Sequence, residues 1–249
     1  EEDARDYIVS GCWGMNENCC GTQDGAYYTN LLKVFEYQIH NRTDMMEKVG
    51  MHFDSIDNAE NFEEVYKITC DNISTLFKER NRITAIGGRM WEQVDPLPIF
   101  SSLFGDCIKN RRDFTNGGAR YNDECYMCVG FPNIVDSLLA IKTLCFDKKK
   151  YTLKEILNAV RNNWEGYDEM RHDAVHCCGW GDGSEESCAF AKKFNTDLYN
   201  MLSDLTGSFG GRVNLGHLTY TEIRFWGEKT LATPDGRHNG EYFAQGLTP

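Results

Sequence analysis

The sequence predicts an α/β protein in which helices predominate, and two features lead to this class. Much of the chain carries apolar side chains at the spacing of amphipathic helices. Residues 213–226, by contrast, are rich in β-branched and aromatic side chains, a composition typical of one or two strands. Glycine-rich and Pro-Asp-Gly sequences between these segments predict the turns that connect them.

The first predicted helix covers residues 26–40, where Leu31, Leu32, Phe35 and Ile39 fall on one face. The other segments with helical periodicity are residues 60–82, 99–108, 133–146, 153–163 and 185–205.

Local signals predict where several of these helices begin and end. Acidic side chains fill the first turn of the second helix, as the helix dipole favours, and the prolines of Asp95–Pro98 end it because proline has no amide donor. Thr152 and Glu155 form a capping-box sequence ahead of residue 153. Paired glycines predict a loop at residues 116–122, and Pro-Asp-Gly predicts a turn at residues 232–237.

Charge and hydropathy exclude two classes of partner. The 249 residues contain 26 Lys and Arg against 38 Asp and Glu, a net charge of −12, which offers no basic surface to nucleic acid or to an anionic membrane. Mean hydropathy is −0.52 and no apolar run approaches the length of a membrane span, so we expect a soluble globular protein. Residue 1 is Glu without a preceding leader, and the last residues resemble a loop. We therefore expect a fragment of a longer protein.

Three widely separated segments carry a family resemblance: Ala4–Trp13, Asp113–Asn122 and Ala232–Arg237, the last followed by Gly240 and Glu241. In this order they resemble the glycyl radical enzymes, the family that includes pyruvate formate-lyase and the radical diol dehydratases. Weaker matches extend the likeness over nearly the whole chain. The resemblance implies that residues 1–249 are part of one pyruvate formate-lyase-like domain, without its N-terminal part and without the glycine-radical domain.

The resemblance also implies a fold and a role for Cys12. In the family, ten strands form a barrel of two parallel half-barrels surrounded by helices, and the Gly-Cys segment is a loop at its centre. The family's cysteine becomes a thiyl radical that takes a hydrogen atom from the substrate, and this role falls on Cys12. A closed barrel excludes water and oxygen from such chemistry. The alternative for Cys12 is a buried small apolar side chain.

The chain departs from the family two residues after this cysteine. Several dehydratases and lyases have Gly-Cys-Val-Glu, whose Glu moves a proton, whereas this chain has Gly14 there. Glu17, further along the same loop, is the candidate substitute, and its alternative is a solvated carboxylate. Trp13 is a candidate substrate contact in an aromatic cavity.

Two further residues are candidate substrate contacts. Asp24 matches the Asp with which the family's diol dehydratases hold a substrate hydroxyl, although Gln23 replaces the His before it. Its alternative, which is compatible with substrate binding, is a helix N-cap. Tyr121 lies in the Asn-Gly-Gly-Ala-Arg-Tyr-Asn segment, which passes near the active-site cavity in the family. For Arg120 and for the Pro-Asp-Gly-Arg turn we prefer structural roles, because the guanidinium can fix a loop through its five donors.

The implied reaction is radical cleavage of a C–C, C–O or C–N bond in a small polar metabolite, by a lyase or an acyltransferase. The resemblance implies no bound organic cofactor and no metal. The radical resides on a glycine outside this chain and is installed by an activating iron–sulfur enzyme that uses S-adenosylmethionine. The expected partners are that activase, the substrate and, at full length, a second copy in a homodimer in the cytoplasm. No segment here resembles the family's radical-bearing glycine loop, so we expect this chain alone to be inactive.

Three other classes remain open. The loss of the carboxylate at Gly14 favours a catalytically inactive relative that acts as a binding or scaffold protein. Cys125 and Cys128 have metal-ligand spacing, which is typical of a cysteine-rich zinc-binding domain. Glycosylation sequons at Asn41 and Asn72 fit an extracellular disulfide-bonded domain, but the odd count of 11 cysteines leaves a thiol unpaired and favours reduced thiols.

Overall fold

The computed structural model describes residues 5–10, 14–177, 179–218 and 222–246. Within these residues the strands are β1 (Tyr7–Ser10), β2 (Gly14–Glu17), β3 (Gly21–Asn30), β4 (Tyr121–Val129) and β5 (Val213–His217). The helices are α1 (Leu31–Ile39), α2 (Thr43–Glu47), α3 (Phe62–Val94), α4 (Pro98–Ser101), α5 (Gly105–Asn110), α6 (Phe131–Ile141), α7 (Leu153–Arg161), α8 (Asp168–His176), α9 (Glu185–Ser203) and α10 (Glu222–Glu228). A π-helical turn, Lys142–Asp147, extends α6.

The strands form two sheets. Strands β1 and β2 pair antiparallel, and β3, β4 and β5 lie in that order in a parallel sheet. The register of the parallel sheet follows from two backbone bonds: Glu124 N donates to Arg212 O at 2.8 Å, and Leu218 N donates to Cys128 O at 3.3 Å. The α/β class with many helices is confirmed. The ten-stranded barrel stays a prediction, because the described residues contribute three strands to the parallel sheet.

The chain divides into two compact units, and β3, β4, β5 and α3 each pass from one unit into the other. The first unit consists of Glu1–Tyr27, Phe77–Tyr126 and Asn200–Gly216. The second consists of Tyr28–Leu76, Met127–Tyr199 and His217–Pro249.

The core of the first unit is built around Tyr126 on β4. Its ring meets the rings of Phe77 and Tyr27 edge to face, at centroid distances of 5.8 and 5.7 Å. The guanidinium of Arg80 lies 5.4 Å from the ring of Tyr126 and 5.6 Å from that of Tyr27. Aromatic and cation–π contacts therefore fasten α3 to the first half of the sheet.

The core of the second unit lies between α1 and α6. Helix α6 is buried at nearly every position, so it is a core helix with no solvent face. Buried polar side chains on α1 and α3 satisfy one another: Gln38 Nε2 donates to Thr69 Oγ1 at 2.7 Å, and Asn72 Nδ2 donates to Gln38 Oε1 at 2.8 Å. Because Asn72 is buried and its amide is bonded, a glycan at this sequon is incompatible with the fold.

Several predicted elements are confirmed. The capping box of Thr152 and Glu155 opens α7, with both reciprocal bonds present. The second predicted helix corresponds to α3, which continues beyond residue 82 and ends at Val94, before the prolines. The Pro-Asp-Gly turn closes with a bond from Thr233 N to Arg237 O at 3.1 Å.

Four elements differ from the predictions. Residues 99–108, predicted as one short buried helix, form the two short helices α4 and α5, and Ile99, Leu103 and Ile108 are exposed. Residues 26–30 are strand, and α1 begins only after Asn30, whose side chain caps it by accepting from Lys33 N at 3.0 Å. Residues 121–129 are strand where the sequence predicts a loop as far as residue 122. Residues 213–226, predicted as one or two strands, form strand only as far as His217, and Glu222–Glu228 form the helix α10.

None of the described helices combines the length and the hydropathy that crossing a membrane requires.

Candidate functional site

The hairpin of β1 and β2 carries the segment for which the sequence predicts the catalytic cysteine. Ser10 lies opposite Gly14 at the end of the hairpin where the strands join. Only residues 11–13 connect the two strands. Cys12 and Trp13 belong to this connection and lie outside the described residues. The paired strands thus fix the two ends of the cysteine segment, at Ser10 and at Gly14.

Glu17 lies at the far end of the same hairpin. It is the last residue of β2 and is opposite Tyr7. Since an antiparallel strand rises about 3.4 Å per residue, its Cα is about 10 Å from that of Gly14. Glu17 therefore does not stand at the position where the family's carboxylate follows the cysteine. The side chains of β2 are outside the described part of the structure.

The segment after the hairpin joins the start of β4. Asn18 N donates to Asp6 O at 3.1 Å, which closes the hairpin, and Tyr121 N donates to Cys20 O at 3.0 Å. The Thr22 hydroxyl donates to Tyr121 O at 3.2 Å. The glycine-rich segment and the cysteine segment, which lie a hundred residues apart in sequence, are thereby connected through consecutive hydrogen bonds.

Two predicted substrate contacts lie on neighbouring strands. Asp24 is within β3 and Tyr121 is the first residue of β4. The N-cap alternative for Asp24 is wrong, because Asn30 caps α1. The side chain of Asp24 is outside the described atoms, whereas that of Tyr121 is half-buried.

Close backbone packing explains both glycines before Tyr121. Gly117 has φ of +69°, and a Cβ there would lie 2.6 Å from the side chain of Phe209. A Cβ at Gly118 would lie 2.1 Å from Arg112 O. Distances below 3 Å to backbone atoms cannot be relieved by a side-chain rotation, so the loop requires glycine at residue 118. The structural role expected for these residues agrees with this geometry.

Asp113 organises the chain just before these glycines. Burial alone would raise the pKa of its carboxyl group, but bonds from the Thr115 and Ser101 hydroxyls and from the Thr115 and Leu97 amides outweigh it and lower the pKa. The Thr115 and Ser101 hydroxyls donate at 2.6 and 2.9 Å. Asp113 is thus an ionised anchor of the loop.

A cleft of about 500 Å³ opens beside the hairpin. Its lining residues come from the residue before β1, from the segment after β2, from α5 and from the glycine-rich loop: Asp6, Asn18, Cys19, Cys20, Gly105, Asp106, Lys109 and Arg120. Arg120 Nε donates to Asp106 Oδ2 at 3.1 Å and so ties the loop to α5. The lining is polar and carries charges of both signs, from Asp6 and Asp106 and from Lys109 and Arg120.

The two cysteines of the Cys-x-x-Cys pair point to opposite faces of strand β4. Asn122, Glu124 and Tyr126 are buried, and the residues between them are half-exposed. Because successive side chains point to opposite faces, Cys125 and Cys128, three residues apart, cannot ligate one ion. Burial raises the pKa of Cys125, so this thiol is protonated at neutral pH. Among the described residues, no three His, Cys, Asp or Glu side chains are arranged to hold a metal.

Sequence reasoning missed a buried carboxylate, Glu124, on the face of β4 opposite to that of Cys125. Glu124 Oε1 accepts from both Ser208 N and Ser208 Oγ at 2.6 Å, while Glu124 Oε2 is buried and has no hydrogen-bond partner among the residues that the structure describes. The pairing is between residues 84 positions apart, and no local pattern marks it. It joins β4 to the loop before β5.

The Pro-Asp-Gly-Arg turn is structural, as expected. Arg237 is buried and donates to the carbonyl oxygens of Glu241 at 2.7 Å, Thr230 at 3.2 Å and Leu231. Asp235 accepts from Thr233 Oγ1 at 2.5 Å. Both side chains thus stabilise their own segment of the second unit.

Comparison with known families identifies one matching family model, described as pyruvate formate lyase-like, over residues 1–226. This range includes the hairpin, the glycine-rich loop and all five predicted site residues, so the match is not confined to one motif.

Individual relatives extend the likeness along the chain. Trans-4-hydroxy-L-proline dehydratase of Clostridioides difficile is 28% identical over 255 residues, which is 100% of this chain and 32% of that enzyme. (2S)-3-sulfopropanediol dehydratase of Klebsiella oxytoca is 30% identical over 174 residues, covering 68% of this chain and 21% of the enzyme. The chain spans about a third of the length of the first of these relatives.

Solved structures agree. The hydroxyproline dehydratase of Clostridioides difficile with its substrate bound superposes with a TM-score of 0.89 at 27% identity, covering 100% of this chain and 32% of that one. The B12-independent glycerol dehydratase of Clostridium butyricum gives 0.88 at 26% identity, covering 98% and 31%. Fold, motif positions and relatives therefore lead to one assignment: the chain belongs to the pyruvate formate-lyase-like family of glycyl radical enzymes.

Proposed function

We propose that this chain supplies the cysteine loop and part of the barrel of a glycyl radical enzyme that cleaves a bond in a small polar metabolite. The observation that carries the proposal is the family match over residues 1–226, because it contains the cysteine segment and the glycine-rich segment, two of the three segments that carry the resemblance. The relatives named above are dehydratases of small hydroxylated molecules, which supports radical elimination from a substrate of that class.

Cys12 is the proposed hydrogen-atom relay. The thiyl radical of Cys12 takes a hydrogen atom from a substrate carbon, so that an S–H bond forms as a C–H bond breaks and the unpaired electron moves to the substrate. After a C–O, C–C or C–N bond has broken, the thiol returns the hydrogen atom to the product radical. The attachment of residues 11–13 to the paired ends of β1 and β2 supports this role, because hydrogen transfer needs closely fixed distances.

The remaining candidates have proposed roles around this thiol. Glu17 moves the proton that the elimination requires, and Asp24 accepts a hydrogen bond from a substrate hydroxyl. Trp13 and Tyr121 contact the substrate and exclude water from it. Asp24 and Tyr121 lie on the adjacent strands β3 and β4. An iron–sulfur activase that uses S-adenosylmethionine installs the glycyl radical, and the complete protein works as a cytoplasmic homodimer.

The test uses the complete protein that contains this chain, activated without oxygen by its activase and S-adenosylmethionine. The Cys12→Ser variant is expected to retain the doublet signal of the glycyl radical in electron paramagnetic resonance but to lose turnover. The substrate panel comprises trans-4-hydroxy-L-proline, (2S)-3-sulfopropanediol and glycerol, the molecules in the names of the relatives.

The matched control is Cys177→Ser, a thiol of α8's C-terminus outside the proposed site, which is expected to retain both signal and turnover. Turnover by Cys12→Ser would refute the role of Cys12. An activated wild-type protein without the doublet would instead favour the inactive relative, and the enzyme assignment would be abandoned.

Glu17→Gln tests the proposed proton transfer in the same assay. Because general acid–base catalysis contributes about 10²- to 10⁴-fold, kcat is expected to fall within that range while the radical signal is retained. An unchanged kcat would mean that Glu17 is a solvated carboxylate.

A further inference from the structure

The second unit contains an aromatic cleft that no step of the proposed reaction uses. Its volume is about 480 Å³, which lies within the usual range for small-molecule sites. The lining residues come from the start of α6, from the segment before α9, from one face of α9 and from the end of β5: Phe131, Trp180, Cys188, Ala191, Lys192, Asn195 and His217. The α9 residues recur at intervals of three and four, so that they form one stripe of the helix.

The walls of this cleft are flat rings held in fixed positions. Phe131 meets Trp180 edge to face, with centroids 5.3 Å apart, and lies 4.5 Å from the ring of His217. Trp180 is itself anchored, because its backbone N donates to Asp136 Oδ1 at 2.6 Å. Rings that present edges and faces at these distances favour a planar aromatic guest over a branched aliphatic one.

The polar groups of the cleft are oriented by one hydrogen bond. His217 Nε2 lies 2.7 Å from Asn195 Oδ1, so the amide oxygen of Asn195 accepts from the ring. The NH₂ group of Asn195 then remains as a donor with no partner among the described residues. Burial lowers the pKa of His217 to about 4, so the imidazole is neutral at physiological pH and adds no positive charge.

Among the described lining residues, Lys192 is the one charged side chain. Lys192 is exposed, and within the described residues its ammonium group makes no ion pair. The Asp136 carboxylate behind the wall is bonded to Trp180 N and is not one of the described lining residues. A guest that carries an anionic group therefore gains from Lys192, and the Asn195 amide offers it a second donor.

We propose that this cleft is a binding site for a small planar aromatic carboxylate. The ring of the guest lies against Phe131 and Trp180, and its carboxylate accepts from Lys192 and Asn195. The proposal is independent of the radical chemistry, because it needs neither Cys12 nor an activated protein.

Calorimetric titration of the complete, unactivated protein tests the proposal. The probes are benzoate and indole-3-acetate, each compared with its neutral amide, and acetate serves as the aliphatic anion. The carboxylates are expected to bind at least about tenfold more tightly than their amides, and acetate is expected not to bind measurably. Equal affinities of carboxylate and amide, or no binding of either aromatic acid, would overturn the proposal.

Two variants assign the binding to this cleft. Lys192→Gln is expected to weaken benzoate binding about tenfold or more, since it removes the charge that Lys192 brings to the described lining. Lys154→Gln makes the same charge change at an exposed position of α7 and is expected to leave the affinity unchanged. Trp180→Ala removes a wall and is expected to abolish binding of both acids. If Lys192→Gln and Lys154→Gln behave alike, any binding observed arises elsewhere and the proposal fails.

Discussion

Arg237 illustrates how a single side chain can connect several backbone segments of a turn. It is 5% exposed and donates to three carbonyl oxygens and to Thr233 Oγ1, and these acceptors come from both sides of the turn. Burial lowers the pKa of the guanidinium group, yet arginine remains charged because its ordinary pKa is so high. The planar fork is what allows one residue to reach all of these oxygens.

Replacing Arg237 by lysine is therefore expected to be costly although the charge is kept. A single ammonium group cannot reach the three carbonyls, and leaving buried acceptors unpaired is expected to lower the free energy of unfolding by about 2–4 kcal/mol. Arg224→Lys is the control, because Arg224 is exposed and pairs with Glu228 on the surface; its effect is expected to stay within about 0.5 kcal/mol. Urea denaturation measures both, and equal values would contradict the role of Arg237.

The roles of residues that bond to near neighbours in the chain could be predicted from the sequence. Thr152 with Glu155, and Asp235 with Arg237, satisfy groups within a few positions of themselves, so their residue types predict their roles. The bond of Glu124 to Ser208 joins distant segments and leaves no local signal. The same limit applies to the cleft at Trp180, whose walls come from four separate elements.

At the scale of elements, α3 packs closely on the loop before β5. A Cβ at Gly88 would lie 2.9 Å from Ser208 Oγ and 3.0 Å from its Cβ. Ser208 cannot move away easily, because both its N and its Oγ are bonded to Glu124. Gly87, the preceding residue of the same helix, has nothing within 4 Å of such a Cβ.

Alanine substitutions at the adjacent residues Gly87 and Gly88 test this packing. Gly88→Ala is expected to lower the free energy of unfolding by about 1–3 kcal/mol, the usual range for an overpacked contact. Gly87→Ala is expected to raise it by about 0.5–1 kcal/mol, since alanine is the better helix former. Thermal denaturation of both variants gives the comparison, and two changes of the same sign would contradict the packing of α3 on Ser208.

The strands that the sequence did not predict have a physical explanation. In β4 two polar residues, Asn122 and Glu124, occupy buried positions because tertiary partners satisfy them, so the alternation of apolar and polar side chains is lost. The end of β3 continues directly into α1 without a connecting loop. Because the apolar face of α1 starts at Leu31, residues 26–30 were predicted to be the first turn of that helix. The helix with a long periodic face at α9 was predicted over its whole length, and α3 was predicted as far as residue 82.

At the scale of the whole molecule, the titration of His217 is expected to contribute to the pH dependence of the free energy of unfolding. Its pKa is about 4 in the folded protein because burial disfavours the imidazolium, against an unfolded value of about 6.5. The unfolded chain therefore binds this proton first as the pH falls. The contribution of His217 to stability is complete above pH of about 6.5, declines below it and is lost at about pH 4.

His217→Gln is expected to flatten the dependence of unfolding free energy on pH between these two values. His52→Gln is the control: His52 is exposed and lies beside Asp54, and its removal is expected to leave the slope in place. Chemical denaturation at several pH values measures the slopes. A wild-type slope that survives in His217→Gln would show that other groups cause it.

The hairpin of β1 and β2 also limits which sequence changes the chain can accept. Side chains alternate between the faces of a strand, so one inserted residue within β2 would turn every later side chain of the strand to the opposite face. Exchanges of residue type, such as the glycine at position 14, leave the register intact. Within this hairpin, single-residue insertions in β1 or β2 are therefore expected to be more disruptive than substitutions at the same positions.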